Sequence, residues 1–375
     1  MTQHEREEAL RRLGDGRAWR DFCRALESAG EAVLRPGTPE DPRSRAEGFR
    51  YLTRLLRAGL ESHVESADPR YPRFFQLSNE TIKIGNDNPD NIYHNANVSG
   101  AYAYRICGRR GAAHYLSFGS KGGGYEQDGA MAPTGQLDQD EMHFAPDGNF
   151  EITAACNRPP NCANWLPLQP HSTSIVVRQT FERRGDGPAA SLRIACLNPD
   201  AGDHLQPELL EPALQRAAAF VRGTANLFVD WMQRFQAHSN QLPPNDQEMC
   251  QRAGGDANIY YHNSHWQLAP DQALLVEFRP PDCTTWNMQI GNFWMESLDY
   301  RYHRIHLNKH TADLSADGAV RIVLAHRNPG PQWPNWLETC GLEQGAMLLR
   351  YIGAREHPPI AARRLRFAEL AARAG

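Results

Sequence analysis

The sequence predicts an α+β fold that is mainly β: two pseudo-repeated antiparallel β-sandwich modules of jelly-roll type, an amino-terminal helical lead-in and a long linker helix. The prediction depends on an internal repeat, two stretches of strand-like alternation and one long helical pattern between them. Several groups of residues recur in the same order at an offset of about 170 residues, which indicates a duplicated module. The matched groups are Asp147-Gly148 and Asp317-Gly318, Asn164-Trp165-Leu166 and Asn335-Trp336-Leu337, and Arg178 and Arg350.

Strands are predicted where apolar and polar residues alternate, because successive side chains of a strand point to opposite faces. In the first module the clearest strands are residues 101–106, 113–118 and 174–178, and in the second they are 273–278, 286–290, 320–324 and 347–351. The repeat extends to the start of each module, where Asn91-Ile92-Tyr93 is matched with Asn258-Ile259-Tyr260. Short strands separated by frequent turns are typical of a sandwich.

Helices are predicted where apolar residues recur at a spacing of three or four. Such patterns cover residues 19–33, a second helix opened by the capping box Ser44-x-x-Glu47, the linker helix 207–238 and a final helix 363–372. Helix boundaries follow from proline and capping residues, as expected from the chemistry of helix ends. The predicted organisation is a lead-in at 1–80, a first module at 81–200, a linker region at 201–255 and a second module at 256–375.

Composition excludes several classes of partner. The chain has 375 residues, of which 41% are hydrophobic and 22% charged, enough to bury two substantial cores. A formal net charge of −4 argues against nucleic acid, because phosphate binding needs a concentrated basic surface. No run approaches the roughly 20 apolar residues of a membrane span, and the start lacks the apolar core of a signal peptide. The expectation is a cytoplasmic protein with no membrane partner.

The eight cysteines show no C-x-x-C pair. Neither a zinc ribbon nor a disulfide framework is therefore indicated, and we expect buried, reduced thiols. No cofactor is predicted.

The second module resembles a bacterial family of unknown function, domain family 1214. The resemblance depends on Asp317-Gly318, Ala325-His326, Pro329-Gly330, Asn335-Trp336-Leu337, Gly341 and Leu349-Arg350. The first module, with Asp87-Asn88-Pro89-Asp90-Asn91-x-Tyr93, is similar to the related family 1254. The resemblance covers about residues 80 to 355 and, as a repeat of separated motifs, implies two β-sandwich modules joined by helices. It implies no activity.

The densest polar cluster is the run from Asp87 to Asn95. Its amides and carboxylates could line a site, with Asp90 and Asn91 binding substrate and with Tyr93 and His94 in acid–base roles, since imidazole titrates near neutrality. The alternative is structural, because Asx residues around a proline build turns by bonding to their own backbone.

A metal site is a second possibility. His262 and His265 could share an ion, with His303 as a third ligand, because a catalytic zinc site generally needs three protein ligands. Against this, strand geometry sends residues three apart to opposite faces. Hydrogen-bonded histidines are the simpler interpretation.

The repeated Asn-Trp pairs and the repeated Arg178 and Arg350 could form two ligand clamps, since tryptophan stacks and arginine pairs with anions. A feature present in both copies is explained more simply by folding, such as an indole filling each sandwich and an arginine tied to the Asp-Gly turn. Function is then expected where the copies differ.

That criterion favours the aromatic and Met-rich segment from Trp286 to His303. A pocket wall formed by Trp286, Met288, Trp294 and Arg301, with Glu277 and His303 as further catalytic groups, fits a concave and mostly apolar pocket with few polar groups. The alternative is a packing face between the modules.

The functional prediction is an enzyme that acts on a partly hydrophobic small molecule by metal-independent acid–base chemistry in a cleft between the modules. Tyr93, His94, Glu277 and His303 are its predicted catalytic residues. The alternatives are a non-catalytic protein that binds a hydrophobic or carbohydrate-like ligand, and a metal-dependent hydrolase or lyase using His262, His265 and His303. The expected partner is a small-molecule ligand, with a homodimer as an option.

Overall fold

The structure is a computed structural model that describes residues 2–127, 129–200 and 206–372. The predicted start of the linker region at residue 201 and the predicted end of the second module at residue 375 lie outside these ranges. Among the described helices, none is both long enough and apolar enough to cross a lipid bilayer.

The chain begins with a helical lead-in, and its helices are α1 (Gln3–Gly14), α2 (Arg17–Ala29), α3 (Glu31–Leu34) and α4 (Pro42–Leu60). A π-helical turn, Glu61–Glu65, continues α4. The predicted capping box that begins with Ser44 is wrong. The N-cap of α4 is Asp41, whose carboxylate accepts the backbone N–H of Ser44 at 2.9 Å. Pro42 occupies the first turn, where its missing N–H has no cost.

The first module is a sandwich of two four-stranded sheets. Its strands are β1 (Asn91–Asn97), β2 (Tyr104–Arg109), β3 (Tyr115–Gly124), β4 (Ala130–Asp138), β5 (Asn149–Ala155), β6 (Trp165–Pro167), β7 (Ser172–Thr180) and β8 (Ser191–Cys196). One sheet has the order β1-β7-β3-β4 and the other β6-β5-β2-β8. Alternate residues of both sheets, such as Ile106, Phe118 and Val177, meet in one buried core.

Helix α5 (Pro207–Phe235) joins the modules, and α6 (Gln247–Arg252) follows it. Its 29 residues make a rod about 44 Å long at 1.5 Å per residue. The lead-in helices lie along it, and Arg12 of α1 forms an ion pair of 2.7 Å with Glu211. One apolar face, including Phe228 and Trp231, is buried against both modules.

The second module repeats the architecture of the first. Its strands are β9 (Ile259–Gln267), β10 (Gln272–Phe278), β11 (Thr285–Ile290), β12 (His306–Asn308), β13 (Val320–Ala325), β14 (Trp336–Glu338), β15 (Gln344–Ile352) and β16 (Ala361–Arg366). The orders β12-β11-β15-β9 and β14-β13-β10-β16 match those of the first module strand by strand. The predicted fold class, two repeated β modules with helices, is confirmed.

The end of the chain differs from the prediction of one helix over 363–372. Residues Ala361–Arg366 form β16, which pairs with β10, and only Phe367–Ala372 form a helix, α7. The unpaired edge of β10 takes up this segment as a strand, so tertiary pairing overrides its local helical pattern.

The strand pairing shows which tyrosines and tryptophans of the two modules correspond. Tyr93 lies opposite Arg178 in the β1–β7 pair, and Tyr261 lies opposite Arg350 in the β9–β15 pair. Tyr93 therefore corresponds to Tyr261. The match with Tyr260 that the sequence predicts is wrong by one residue. The repeated tryptophans also match, since the Trp165 and Trp336 indoles donate to the carbonyls of Ala155 (3.0 Å) and Ala325 (3.1 Å).

All eight cysteines lie within the described residues and all are unpaired. Cys250 and Cys283 are buried as predicted, whereas the other six are at least partly exposed.

Candidate functional site

A cavity of about 140 Å³ lies where the two modules and α5 meet. Its polar wall includes side chains that the repeat relates in pairs, namely Tyr93 and Tyr261, Asn95 and Asn263, and Arg178 and Arg350. Its apolar wall includes Ile84, Val176, Phe228, Trp231 and Leu348. The volume is close to that of a cavity of about 150 Å³ that holds benzene. The cavity therefore suits a small organic molecule.

The modules exchange short segments to build this cavity. The segment before β1, residues 86–90, crosses to the second module, and the segment before β9, residues 254–258, crosses to the first. Arg178 donates to the carbonyl of Gly254 at 2.7 Å, and Arg350 donates to the carbonyl of Asn86. Because each module's arginine holds the other module's segment, the two arginines converge on the cavity.

The tyrosines are held in the same way in both halves. The Tyr93 hydroxyl accepts the backbone N–H of Asn88, and the Tyr261 hydroxyl accepts that of Asp256, each at 3.0 Å. The N–H occupies one lone pair of the oxygen and leaves the hydroxyl hydrogen available for donation. Burial is the main cause that raises the pKa of Tyr261 to about 12, so this phenol is a proton donor at neutral pH.

The carboxylates are placed differently in the two halves. Asp256 is fully buried, and one of its carboxylate oxygens lies 3.4 Å from Arg178. The corresponding residue in the other half is Asn88, as the matching bonds to Tyr93 and Tyr261 show. Arg178 therefore has a carboxylate partner, whereas the matching position of the other half, Asn88, carries an amide.

Arg350 is 5% exposed and has only neutral acceptors. Its guanidinium donates to Gln289 Oε1 at 2.6 Å, to Asn287 Oδ1 at 3.3 Å and to the Asn86 carbonyl. Within the described ranges, no carboxylate oxygen lies within 4.0 Å of it. Burial lowers the pKa of Arg350, and nearby tyrosines and the charges of Asp87 and Asp90 oppose it only in part. Burial also acts to lower the pKa of Arg178, but the Asp256 charge and the neighbouring tyrosines together raise it.

Lys121 lies behind Arg178. Its ammonium donates to the Gly255 carbonyl at 2.9 Å. Burial, and after it the positive charge of Arg178, lower the pKa of Lys121 to about 7, against the attraction of Asp256. The first half of the site therefore contains a cation that titrates near neutral pH.

Replacing Lys121 with methionine is expected to change how stability depends on pH. In the unfolded chain a lysine titrates near pH 10.4, so between about pH 7 and pH 10 the unfolded state holds a proton that the folded state has lost. The free energy of unfolding of the natural protein should therefore gain about 1.4 kcal/mol per pH unit from this group, and none below about pH 7. Lys121→Met lacks this pH-dependent contribution. The free energy of unfolding of Lys121→Met minus that of the natural protein should therefore decrease as pH rises from about 7 to about 10.

The measurement is denaturant unfolding of both proteins from about pH 6 to pH 9. Only their difference is informative, because buried thiols such as Cys250, whose pKa burial raises to about 12, contribute the opposite slope above their unfolded pKa. A difference that does not vary with pH would show that Lys121 is not a titrating group in this range.

A second cavity of about 240 Å³ adjoins the first and shares Leu77, Asn95, Tyr125 and Met131 with it. His63 of the π-helical turn faces Glu126 in this cavity, with Nε2 and a carboxylate oxygen 3.7 Å apart. Burial lowers the pKa of His63 to about 4 and raises the pKa of Glu126. Shifted pKa values in a cleft and a π-helical turn are both common at functional sites.

Of the residues predicted from the Asx cluster, Asn91 and Tyr93 line the central cavity. His94 follows Tyr93 in β1 and faces the other side, where its Nδ1 lies 3.4 Å from the Gln179 amide. Burial lowers the pKa of His94. Asp90 is buried outside the cavity lining and accepts from His306 (3.1 Å) and Asn308 (3.0 Å) of the second module.

The residues predicted from the aromatic segment do not line either cavity. Trp286 and Met288 are in the core of the second sandwich, and Trp294 is in the core that the helices form with both modules. Arg301 is paired with Asp299 at 2.7 Å on the surface. This segment is a packing face, because its large side chains alternate into two cores rather than into open space.

The two remaining predicted catalytic residues form ion pairs outside the cavity. Glu277 lies on the outer face of β10, where it pairs with Arg321 (2.8 Å) and Arg363 (2.9 Å). His303 is exposed and its Nδ1 lies 3.0 Å from Glu338. Neither lines the cavity.

The alternative metal site is also not assembled. His262 faces the Leu242 carbonyl at 3.2 Å, whereas His265 contacts Ser239 Oγ at 2.7 Å and Gln344 at 3.2 Å. Strand alternation separates the two rings. Neither belongs to the metal-compatible groups found among the described residues.

Sequence reasoning assigned Arg178 and Arg350 to folding and proposed that each ties a strand to an Asp-Gly turn. That contact is wrong, since both guanidinium groups bind the exchanged segments. The available signal was Tyr93-His94-Asn95, which recurs as Tyr261-His262-Asn263. Tyrosine and asparagine at alternate positions share one strand face, so the two copies present matching polar faces.

Fold and cavity together define a class of protein with two repeated β-sandwich modules and a small cavity where they meet. Residues 267–356 match a family model described as a protein of unknown function, DUF1214. An uncharacterised protein from Burkholderia cenocepacia, solved as a crystal structure, shares 46% identity over 96% of this chain and 99% of its own, with a TM-score of 0.93. The chain belongs to the same family as that protein.

A further solved structure, the VPA0106 protein from Vibrio parahaemolyticus, has 11% identity and a TM-score of 0.47 over 84% of this chain and 98% of its own. No curated protein gives a significant match.

Proposed function

We propose that this protein is an enzyme that acts on a small anionic molecule with an apolar part, bound in the central cavity. The observation that carries the proposal is the buried Arg350, whose acceptors are all neutral. A buried charge without a carboxylate in direct contact costs several kcal/mol, and the charges of Asp87 and Asp90 offset this cost only in part. An anion in the cavity would provide that direct contact and would regain much of this free energy.

The walls of the cavity favour a carboxylate. Arg178 and Arg350 offer planar N–H groups, which match a carboxylate better than a spherical ion. The guanidinium charges of both arginines interact electrostatically with Tyr93 and Tyr261. The two arginines and the two tyrosines therefore face one region of the cavity. Phe228 and Trp231 border the same space and would contact the apolar part of the molecule. The volume limits the ligand to about the size of a substituted benzene ring.

The proposed chemistry is stabilisation of an oxyanion or enolate together with proton transfer. Hydroxyl and guanidinium donors that are fixed before the reaction stabilise negative charge as it develops. Tyr93 and Tyr261 are the proton donors that the geometry supports. An enolate also needs a base that removes a proton from the ligand. The His63–Glu126 pair, in the adjoining cavity, supplies groups with shifted pKa values for this second proton transfer.

A non-catalytic binding protein for the same class of ligand is the alternative, and one observation favours it. Asp87 is the only carboxylate among the described residues that line the central cavity. Its two oxygens accept from the backbone N–H (3.0 Å) and the hydroxyl (2.9 Å) of Ser297. A base held in this way is poorly placed to take a proton from a ligand.

A thermal unfolding screen tests the binding step. We expect benzoate and short aliphatic carboxylates to raise the melting temperature, because a ligand that binds only the folded state stabilises it. The matched neutral amides, such as benzamide, should have little effect. If no carboxylate raises the melting temperature, or if the amides raise it equally, the anion site is refuted. Turnover of the carboxylates that bind then separates the enzyme from the binding protein.

Several finer predictions remain to be tested. These are the relation of the first module to domain family 1254, the cytoplasmic location and the homodimer.

A further inference from the structure

A second group of side chains lies at a seam between the modules, outside both cavities. His114 directly precedes β3 and Glu182 follows β7, so both belong to the first module, whereas His310 follows β12 in the second. Their ligand atoms, two imidazole nitrogens and a carboxylate oxygen, all lie within 4.8 Å of one another. A single ion could therefore contact all three.

The three groups converge on one carboxylate oxygen. His114 Nδ1 lies 2.8 Å and His310 Nε2 lies 3.4 Å from Glu182 Oε1, and the two rings are inclined at 61°. His310 Nε2 is buried, and apart from this 3.4 Å approach to Glu182 it has no hydrogen-bond partner among the described residues. A buried polar atom without a hydrogen bond is unsatisfied, and in the tautomer that leaves Nε2 unprotonated a metal ion would satisfy it.

The surrounding residues hold the group in place. The side-chain amide of Asn308 donates to the backbone carbonyl of Glu182 at 2.7 Å and to the Asp90 carboxylate at 3.0 Å. Its side-chain oxygen accepts the backbone N–H of His310 at 2.9 Å. One amide thus fixes a ligand from each module.

We propose that His114, Glu182 and His310 bind a divalent transition-metal ion, with zinc as the reference, and that the ion joins the two modules. Two imidazoles and one carboxylate are a common ligand set for zinc and for non-haem iron or manganese, whereas magnesium and calcium prefer oxygen ligands. The half-exposed Glu182 leaves room for water as a fourth ligand. The site does not depend on the anion proposed for the central cavity.

The test is calorimetric titration of the full chain with Zn²⁺ and Co²⁺ after treatment with a chelator. We expect one ion per chain, a visible Co²⁺ absorption band typical of tetrahedral coordination, and a higher melting temperature with metal. His310→Ala and Glu182→Gln should each weaken binding by about 10-fold or more. His143→Ala, which removes an exposed histidine of the first module, is the matched control and should bind like the natural protein.

Three outcomes would overturn the proposal. They are the absence of stoichiometric binding by the natural protein, equal affinity in His310→Ala and Glu182→Gln, and loss of binding in His303→Ala instead. The last would assign the ion to His303, Glu338 and Cys340, the other described group whose ligand atoms lie close together.

Discussion

Replacing Arg350 with glutamine is expected to weaken carboxylate binding by about 30-fold or more, equivalent to about 2 kcal/mol. The substitution removes the buried cation that has no carboxylate in direct contact and keeps a side chain that can still bond to Gln289 and Asn287. The loss should appear mainly in affinity, because the carboxylates that act on Arg350 from a distance, Asp87 and Asp90, keep their own hydrogen-bond donors. Isothermal titration with benzoate, or with the strongest carboxylate of the screen, measures it.

Arg178→Gln makes an informative comparison with Arg350→Gln, since the two arginines are related by the repeat. Removing Arg178 leaves the carboxylate of Asp256 buried without its partner, and breaking a buried ion pair in this way costs about 3–5 kcal/mol. Arg178→Gln should therefore reduce stability as well as affinity. Unaltered affinity in Arg350→Gln would show that the anion is not bound there.

Arg321→Gln is the control for charge alone. Arg321 is a half-buried arginine on β13, paired with Glu277 and Asp317 at 2.8 Å each. Such pairs near the surface contribute about 0–1 kcal/mol. Its affinity for the ligand should match that of the natural protein.

The architecture could be predicted because each of its causes is local in the sequence. Alternation gives the strands, the apolar stripe of 207–235 gives α5, and the matched motifs give two copies of one strand order. Errors arose where a distant partner decides the outcome. Residues 361–366 form a strand because β10 has a free edge, and no pattern within the segment itself indicates that edge.

The site was harder to predict for a related reason. Arg178 and Arg350 occur in both copies, and a feature present in both copies is explained more simply by folding than by function. That inference assumes that the two copies are independent. Here they exchange the segments before β1 and β9, so residues kept in both copies meet in one cavity. Asp256 pairs directly with Arg178 and its counterpart is Asn88, so the two arginines differ in their direct partners.

Sequence alone does not show which elements cover the aromatic segment. Trp294 is predicted to form a pocket wall because its segment is richer in aromatic residues and Met than the counterpart in the first module. In the structure, α4 lies on it, and the indole N–H donates to the Ser44 carbonyl at 2.9 Å. A Cβ atom added to Gly48 would lie 2.6 Å from the indole ring, so the absence of a side chain at this position lets the helix approach.

Trp294→Ala is therefore expected to lower the free energy of unfolding by about 3–5 kcal/mol, the usual cost of removing a large buried aromatic side chain. Trp294 is 1% exposed, whereas Trp19 of α2 is 61% exposed. Trp19→Ala is the matched control and should change stability by no more than about 0.5 kcal/mol. Denaturant unfolding of the two variants gives the comparison, and Trp294→Phe provides a milder change if the alanine variant does not fold.

Ligand titration of the folded Trp294 variant decides between the two interpretations of this residue. Because Trp294 does not line the central cavity, carboxylate affinity should remain within a few-fold of the natural value once unfolded protein is taken into account. Lost affinity with unchanged stability would instead place Trp294 against the ligand, as the sequence alone predicted. The same pair of measurements thus tests whether the divergent segment of the second module is a packing surface for α4 or part of the binding site.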